Sequence, residues 1–255
     1  MKKIVELNFG FPDAENYKRR ETKQLFNTLF IQNEFLEQLC QPEISFLIGD
    51  KGTGKTAYSL YLANNKYKDN FAFSKFIRET DYQKFITLKK EKNLQLSDYT
   101  SIWKVILLLL LSEEIYDKEP NLDILKNFGK FKYLHDAIQE YYYEAFSPEI
   151  IQAIQFIEES NISAELLSKH ATLAGEEKES KTFDKNRFQM NLFYIQKKFK
   201  DAISNIRIKN NHILFIDGID IRPDNVPFED YLECIKGLAT AVWELNNDFF
   251  PTMKD

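Results

Sequence analysis

Eight consecutive residues, Gly49-Asp50-Lys51-Gly52-Thr53-Gly54-Lys55-Thr56, carry the densest chemical information in the chain. They satisfy G-x-x-x-x-G-K-[ST] at every required position. The spacing answers a specific physical problem. A nucleoside triphosphate presents several negative charges along a short stretch, so successive backbone N–H groups must turn inward around it. Glycine tolerates the conformations this requires and leaves no side chain in the way. A helix starting at the end of the loop adds the partial positive charge of its N-terminus. Lys55 then reaches the β- and γ-phosphates, and the Thr56 hydroxyl meets magnesium. The other reading is an ordinary glycine turn. At average residue frequencies the pattern arises by chance in about one chain in a hundred of this length. The chain has only 8 glycines in 255 residues, and three of them, Gly49, Gly52 and Gly54, fall within this loop. Such clustering points to a local backbone requirement.

A magnesium ion on a triphosphate also needs a carboxylate from the end of a neighbouring apolar strand. Ile213-Leu214-Phe215-Ile216-Asp217 has that form, which makes Asp217 the candidate. In many ATPases a glutamate directly after this aspartate polarises the attacking water; here that position is Gly218. The nearest later acid is Asp220. Either Asp220 takes a catalytic or metal-supporting role, or it is a turn residue before Arg222-Pro223 and hydrolysis is slow. The candidate set is therefore Lys55, Asp217 and Asp220 for catalysis, the loop Gly49–Thr56 for phosphate, and Thr56 with Asp217 for Mg2+. ATP is favoured over GTP because no Asn-Lys-x-Asp guanine reader is present; Asn65-Lys66-Tyr67-Lys68 lacks the final acid. Small-molecule kinases surround the transferred phosphate with arginine, and this chain has six. Arg78 and Arg222 are the two considered as phosphate sensors.

The elements that must position these residues read as α/β. Glu43–Ile48 is short and apolar, a buried strand leading into the loop. Lys55–Asn64 has helical character, Phe71–Ile77 suits a second strand, and 211–217 is a third. Before the loop, Leu25, Leu29, Leu36 and Leu39 recur at helical spacing, with Asn33 as cap of a second short helix. Asp81 caps a helix running to about Lys90. Thr100–Tyr116 is leucine-rich rather than β-branched, hence a helix buried on most sides. Phe131, Leu134, Ile138, Tyr141 and Ala145 share one helical face, and Ser147-Pro148 opens a further helix. Gly175–Asp184 is polar and reads as a mobile loop. Phe188, Leu192, Ile195, Phe199, Ala202 and Ile206 trace a stripe. Pro227 opens a last helix with Glu229 and Asp230 in its first turn and an apolar face of Tyr231, Ile235, Leu238, Val242 and Leu245.

The loop (IGDKGTGKT) together with the strand LFIDGID resembles the STAND and KAP-type P-loop ATPases, whose second motif often reads apolar strand-Asp-Gly-apolar-Asp. The N-terminal FGFPDAENYKRRE, followed by helix and then loop, is also similar to bacterial FunZ-like P-loop ATPases. The resemblance covers residues 43–65 and 211–246, with weaker support from the first forty. It implies a P-loop NTPase fold in which Lys55, Thr56 and Asp217 contact ATP and magnesium, and Asp220 polarises water. It implies a switch in prokaryotic signalling or defence, working through a protein partner or self-association. No sensor residue or arginine finger carries over.

Thr56 and Asp217 are 161 residues apart, far more than one helix and two strands need. The sequence divides into a helical lead-in (1–42), a first core part (43–111), an α-helical insertion (112–206) and a second core part (207–255). Relatives of the resembled kind place a further strand between the two motif strands, after the helix that follows the second motif. The sequence shown stops about ten residues after that helix. The expectation is that these residues are the N-terminal part of a longer protein, or that another segment or a partner chain fills the gap.

Bulk composition bounds the alternatives. There are 34 basic and 39 acidic residues, a net charge of −5, whereas a nucleic-acid-covering or anionic-membrane protein is usually basic. Lys181–Lys209 holds 8 basic and 2 acidic residues; it could meet DNA in a DNA-associated ATPase, though such a run more often forms a solvated helix face. Residues 112–149 carry 9 acids and 4 bases, so the two parts of the insertion could attract each other. Tyr141-Tyr142-Tyr143 could stack on bases or divide between core and surface. Two distant cysteines and three isolated histidines offer no disulfide framework and no zinc spacing. No apolar run exceeds seven residues, Val105–Leu111, against about 20 for a membrane span, and no signal peptide is visible. The expected setting is cytoplasmic. A nucleotide-binding scaffold without turnover remains the alternative to an ATP hydrolase.

Overall fold

A computed structural model describes residues 11, 14–17, 19–77, 79–92, 95–119, 180–206 and 208–253. In chain order the elements are a 3-10 turn (Ala14–Tyr17), α1 (Arg20–Leu29), α2 (Glu34–Gln38), α3 (Lys55–Asn64), β1 (Asn70–Phe76), α4 (Glu79–Lys92), α5 (Leu96–Lys118), α6 (Ser180–Ser204), β2 (Asn211–Asp217) and α7 (Phe228–Glu244). The architecture is mixed α/β. β1 and β2 form a two-stranded sheet. Asn211 N–H donates to Asp69 O at one end (2.8 Å) and Ile77 N–H to Asp217 O at the other (2.9 Å). Both strands therefore run in the same direction.

The strand expected at 43–48 is absent. Among the described residues the sheet has two strands, not three, and Ile44, Phe46 and Ile48 are exposed. The apolar run has the composition of a strand, but a strand exists only where a neighbour satisfies its N–H and C=O groups. No described segment does so here. Sequence pattern reports what a segment could pair with, not whether the partner arrives.

The chain divides into two compact units, Met1–Lys75 with Asn210–Phe215, and Phe76–Lys209 with Ile216–Asp255. In the first, Tyr17, Phe26, Leu36, Leu39, Leu60 and Leu62 form the core, and Ile213 and Phe215 of β2 pack against it half-buried. The expected stripe is only partly correct. Leu36 and Leu39 are buried and Leu25 packs half-buried on the core, whereas Leu29 is 56% exposed; Phe26 is the buried residue of α1, and Phe30, just after the helix, packs beside it. Asn33 caps α2 as expected, its Oδ1 accepting from Phe35 N (3.2 Å). Asn27 and Asn65 exchange side-chain hydrogen bonds (2.7 and 3.0 Å), which ties α1 to the C-terminal end of α3.

In the second unit α5 is central. Ile102, Trp103 and every residue from Val105 to Leu110 are buried. Consecutive buried positions mean a helix covered on all sides rather than along one stripe, as its leucine-rich sequence predicted. A capping box starts it: Asp98 Oδ2 accepts from Gln95 N (2.8 Å), and the Gln95 side chain accepts from the Asp98 backbone. Gln189 of α6 donates to the other Asp98 oxygen (2.6 Å). α6 and α7 both pack on α5. Phe188, Leu192, Ile195, Phe199, Ala202 and Ile206 are all buried, as expected. α7 turns a slightly different face inward: Cys234, Gly237, Leu238 and Ala241 are buried while Tyr231, Ile235 and Val242 are half-buried. Gly237 explains the rotation. A Cβ there would lie 2.7 Å from Tyr99 Cβ and 3.1 Å from its carbonyl carbon, so α5 and α7 meet backbone to backbone. Trp103 Nε1 donates to Cys234 O across the same contact (3.0 Å).

Further differences are local. α4 begins at Glu79, so Asp81 lies inside its first turn rather than capping it. α6 begins at Ser180, so the second half of the expected loop 175–184 is helical. α5 is continuous across residue 111, where the sequence division placed the start of the insertion. Tyr141-Tyr142-Tyr143, the helices expected around 131–145 and from Ser147, His135, His170 and Arg78 lie outside the described residues. No described helix is long and apolar enough to cross a membrane.

Candidate functional site

The loop Gly49–Thr56 lies wholly within the first unit. Gly52 and Gly54 adopt φ of +90° and +89°, a backbone region that side chains with a Cβ rarely enter. Thr53 closes the turn between them, donating from N (3.2 Å) and Oγ1 (2.8 Å) to Asp50 O. At Gly49 a Cβ would stand 2.7 Å from Thr53 Oγ1. The required glycines thus have separate reasons: Gly49 clears Thr53, and Gly54 makes the left-handed step into α3.

Lys55 is the first residue of α3. Its ammonium folds back over the loop and donates to Gly49 O (2.7 Å) and Asp50 O (3.1 Å). The cation is therefore held against the loop's own carbonyl oxygens. Gly54 offers no side chain to cap α3. An anion arriving at this end meets the N-terminal N–H groups and the positive end of the helix dipole. Gly49 to Thr53, including Asp50 and Lys51, are exposed; Gly54, Lys55 and Thr56 are half-buried. The arrangement can hold a polyanion with backbone donors and one fixed ammonium.

Asp217, Gly218 and Asp220 belong to the second unit. Asp217 ends β2 and its Oδ1 accepts from Gly218 N (2.8 Å). Gly218 has φ +80°, and a Cβ on it would lie 2.7 Å from Phe76 Cζ and 2.8 Å from Ile77 O. Only glycine fits there, so the place of a catalytic glutamate is closed by backbone geometry. Asp220 is exposed on the turn that follows. The turn is anchored by the Tyr231 hydroxyl, which donates to Ile219 O. Burial and the nearby Asp220 charge push that phenol above its ordinary pKa. Arg222 Nη1 donates to Val226 O (2.6 Å), so this arginine braces its own turn.

The phosphate-loop residues are thus gathered in one unit, and the acidic residues with Gly218 in the other. Thr56 and Asp217 offer hard oxygen donors of the kind magnesium prefers. Among the described residues no group of three or more His, Cys, Asp or Glu could hold a metal unaided. In the basic segment, Lys200 lies 4.9 Å from the Phe249 ring centre and Lys198 5.4 Å from that of Tyr194. Burial, then the neighbouring Lys104, pushes the Lys200 ammonium below its ordinary pKa. These stems cover ring surface as well as carrying charge.

Sequence reasoning missed a group of aromatic residues beside the loop. Phe30 stacks on Tyr61 (4.3 Å, 15°) and meets Tyr58 edge-on (5.4 Å, 89°). The signal was present as Phe26/Phe30 and Tyr58/Tyr61, pairs at i,i+4 and i,i+3. No family model, no curated protein and no solved structure matches the chain.

Proposed function

We propose that this chain is a P-loop NTPase that binds Mg-ATP through Gly49–Thr56 and works as a slowly hydrolysing, nucleotide-dependent switch. The observation that carries the reading is the loop itself. Two glycines at positive φ, an uncapped helix start and the Lys55 ammonium drawn over the loop carbonyls together form an anion cradle. In this reading Thr56 and Asp217 meet Mg2+, which when bound offsets charge on the phosphates. Lys55 holds the β- and γ-phosphates, and Asp220 orients water. The resemblance to STAND and KAP-type ATPases, with a protein partner or self-association and a role in prokaryotic signalling or defence, belongs to the same proposal.

One observation favours a second reading, a scaffold in which nucleotide is structural. Gly218 stands where water-activating glutamates sit, and its backbone admits no side chain. Phosphate release from ATP separates the two. A switch of this kind releases phosphate slowly, and Lys55→Ala abolishes it. Nucleotide-dependent thermal stabilisation with no release in either protein selects the scaffold. Release unchanged by Lys55→Ala refutes the enzymatic reading.

A further inference from the structure

The loop opens onto a second, apolar feature of the same unit. An open cleft of about 400 Å³ runs between the N-terminal lead-in and α3, within the usual range of about 300–1,000 Å³ for small-ligand pockets. Tyr17, Phe26 and Phe30 line one side; Gly54, Ala57 and Tyr58 line the other. The last residues of the phosphate loop are therefore also part of the cleft wall. Leu29 and Ile31 line it too, and both are left uncovered, Leu29 at 56% and Ile31 at 82% exposure.

The cleft is apolar because its hydroxyls are already engaged. Tyr58 Oη accepts from Asn33 Nδ2 (2.7 Å) and Tyr17 Oη accepts from Phe11 N (2.6 Å). The Asn33–Tyr58 bond also ties the lead-in to α3, along with Gln32 Nε2 donating to Tyr61 Oη (2.6 Å). None of the residues lining it is charged. A flat, weakly polar group attached to an anion held on the loop would cover Leu29 and Ile31 and face the aromatic side chains. Guanine has an N1–H and an exocyclic amine that call for a carboxylate or similar acceptor, and the lining offers none. Adenine makes the smaller polar demand.

We infer that this cleft, built by Tyr17, Phe26, Phe30 and Tyr58 beside Gly54, receives the adenine base of a nucleotide whose phosphates lie on Gly49–Thr56. The N-terminal lead-in is then part of the nucleotide site. This inference rests on the proposed nucleotide binding, and the test separates the two. Affinities for Mg-ATP, Mg-GTP and magnesium tripolyphosphate are measured by calorimetry on the wild type and on Leu29→Ala/Ile31→Ala, which adds no charge. Both substituted residues are exposed, so folding is unaffected, and an unchanged melting temperature without ligand checks this. Losing the apolar contact weakens ATP binding about tenfold and leaves tripolyphosphate binding unchanged. Wild-type protein prefers ATP to GTP. Equal affinities of wild type and variant for ATP, or parallel losses for ATP and tripolyphosphate, overturn the base site while the phosphate loop stands. Failure of the wild type to bind either compound overturns both.

Discussion

Replacing Gly218 by alanine tests the geometry that closes β2. Two costs add. A residue with a Cβ held at φ +80° pays about 1–2 kcal/mol for left-handed backbone. The new methyl also meets Ile77 O at 2.8 Å and the Phe76 ring edge at 2.7 and 2.9 Å. The ring can swing, but Ile77 is fixed by its own N–H bond to Asp217 O (2.9 Å). Overpacking of this kind costs typically 1–3 kcal/mol. Alanine also removes some freedom from the unfolded chain, which returns roughly 0.4–1 kcal/mol. The net loss is about 2–4 kcal/mol, a fall in melting temperature of roughly 4–16 °C for a domain of this size. Gly52 supplies the control, because its φ is +90° and nothing lies within 4 Å of its Cβ position. Gly52→Ala should therefore show the backbone cost alone, about 1–2 kcal/mol before the unfolded-state offset. Thermal and urea unfolding followed by circular dichroism measures both variants. Equal, small losses at the two positions would refute the steric account of Gly218, and with it the reason given for the missing glutamate.

Two further outcomes follow from packing and ionisation in the second unit. Gly237→Ala improves intrinsic helix propensity by about 1 kcal/mol, but the methyl meets the Tyr99 backbone at an overpacking cost of about 1–3 kcal/mol, so the net is a loss of up to about 2 kcal/mol; a gain in urea midpoint would contradict the close α5–α7 contact. Stability should also fall as pH rises above about 10. Burial pushes the Tyr99 phenol well above its ordinary pKa. Burial pulls Lys89 down, but its bonds to Asp230 (2.5 Å) and Glu233 (2.6 Å) outweigh this and hold the ammonium above its usual value. Both groups keep their protons more tightly folded than unfolded. Their contribution is complete below the unfolded pKa values of about 10–10.5 and is lost as pH climbs through the folded ones. Urea midpoints at pH 8 and 10.5 should differ in the wild type and differ less in Tyr99→Phe; an identical difference in both would count against this assignment.

The loop was legible because its requirement is local: eight residues fix their own turn, their glycines and the helix that follows. β2 with Asp217 was legible for the same reason, a continuous apolar run closed by an acid. α5 was legible because unbroken leucine leaves no polar side to expose. The segment 43–48 was not, because pairing depends on a distant neighbour that composition cannot supply. The inner face of α7 was misjudged at Gly237, since a residue with no side chain is silent in a hydrophobic stripe yet sets how closely two helices approach. The aromatic cleft was missed because Phe26, Phe30, Tyr58 and Tyr61 read as ordinary core residues until α1 and α3 are set side by side.

The central claim, that Gly49–Thr56 binds a nucleotide, meets its most direct test in Mg-ATP titration of the wild type and of Lys55→Ala. Lys55 replaces its bonds to Gly49 O and Asp50 O with bonds to phosphate, and charge-assisted bonds are worth about 1.5–3 kcal/mol. Saturable binding by the wild type, weakened roughly ten- to a hundredfold in Lys55→Ala, is the predicted result. No binding by the wild type, or equal affinity in the two proteins, would contradict the account.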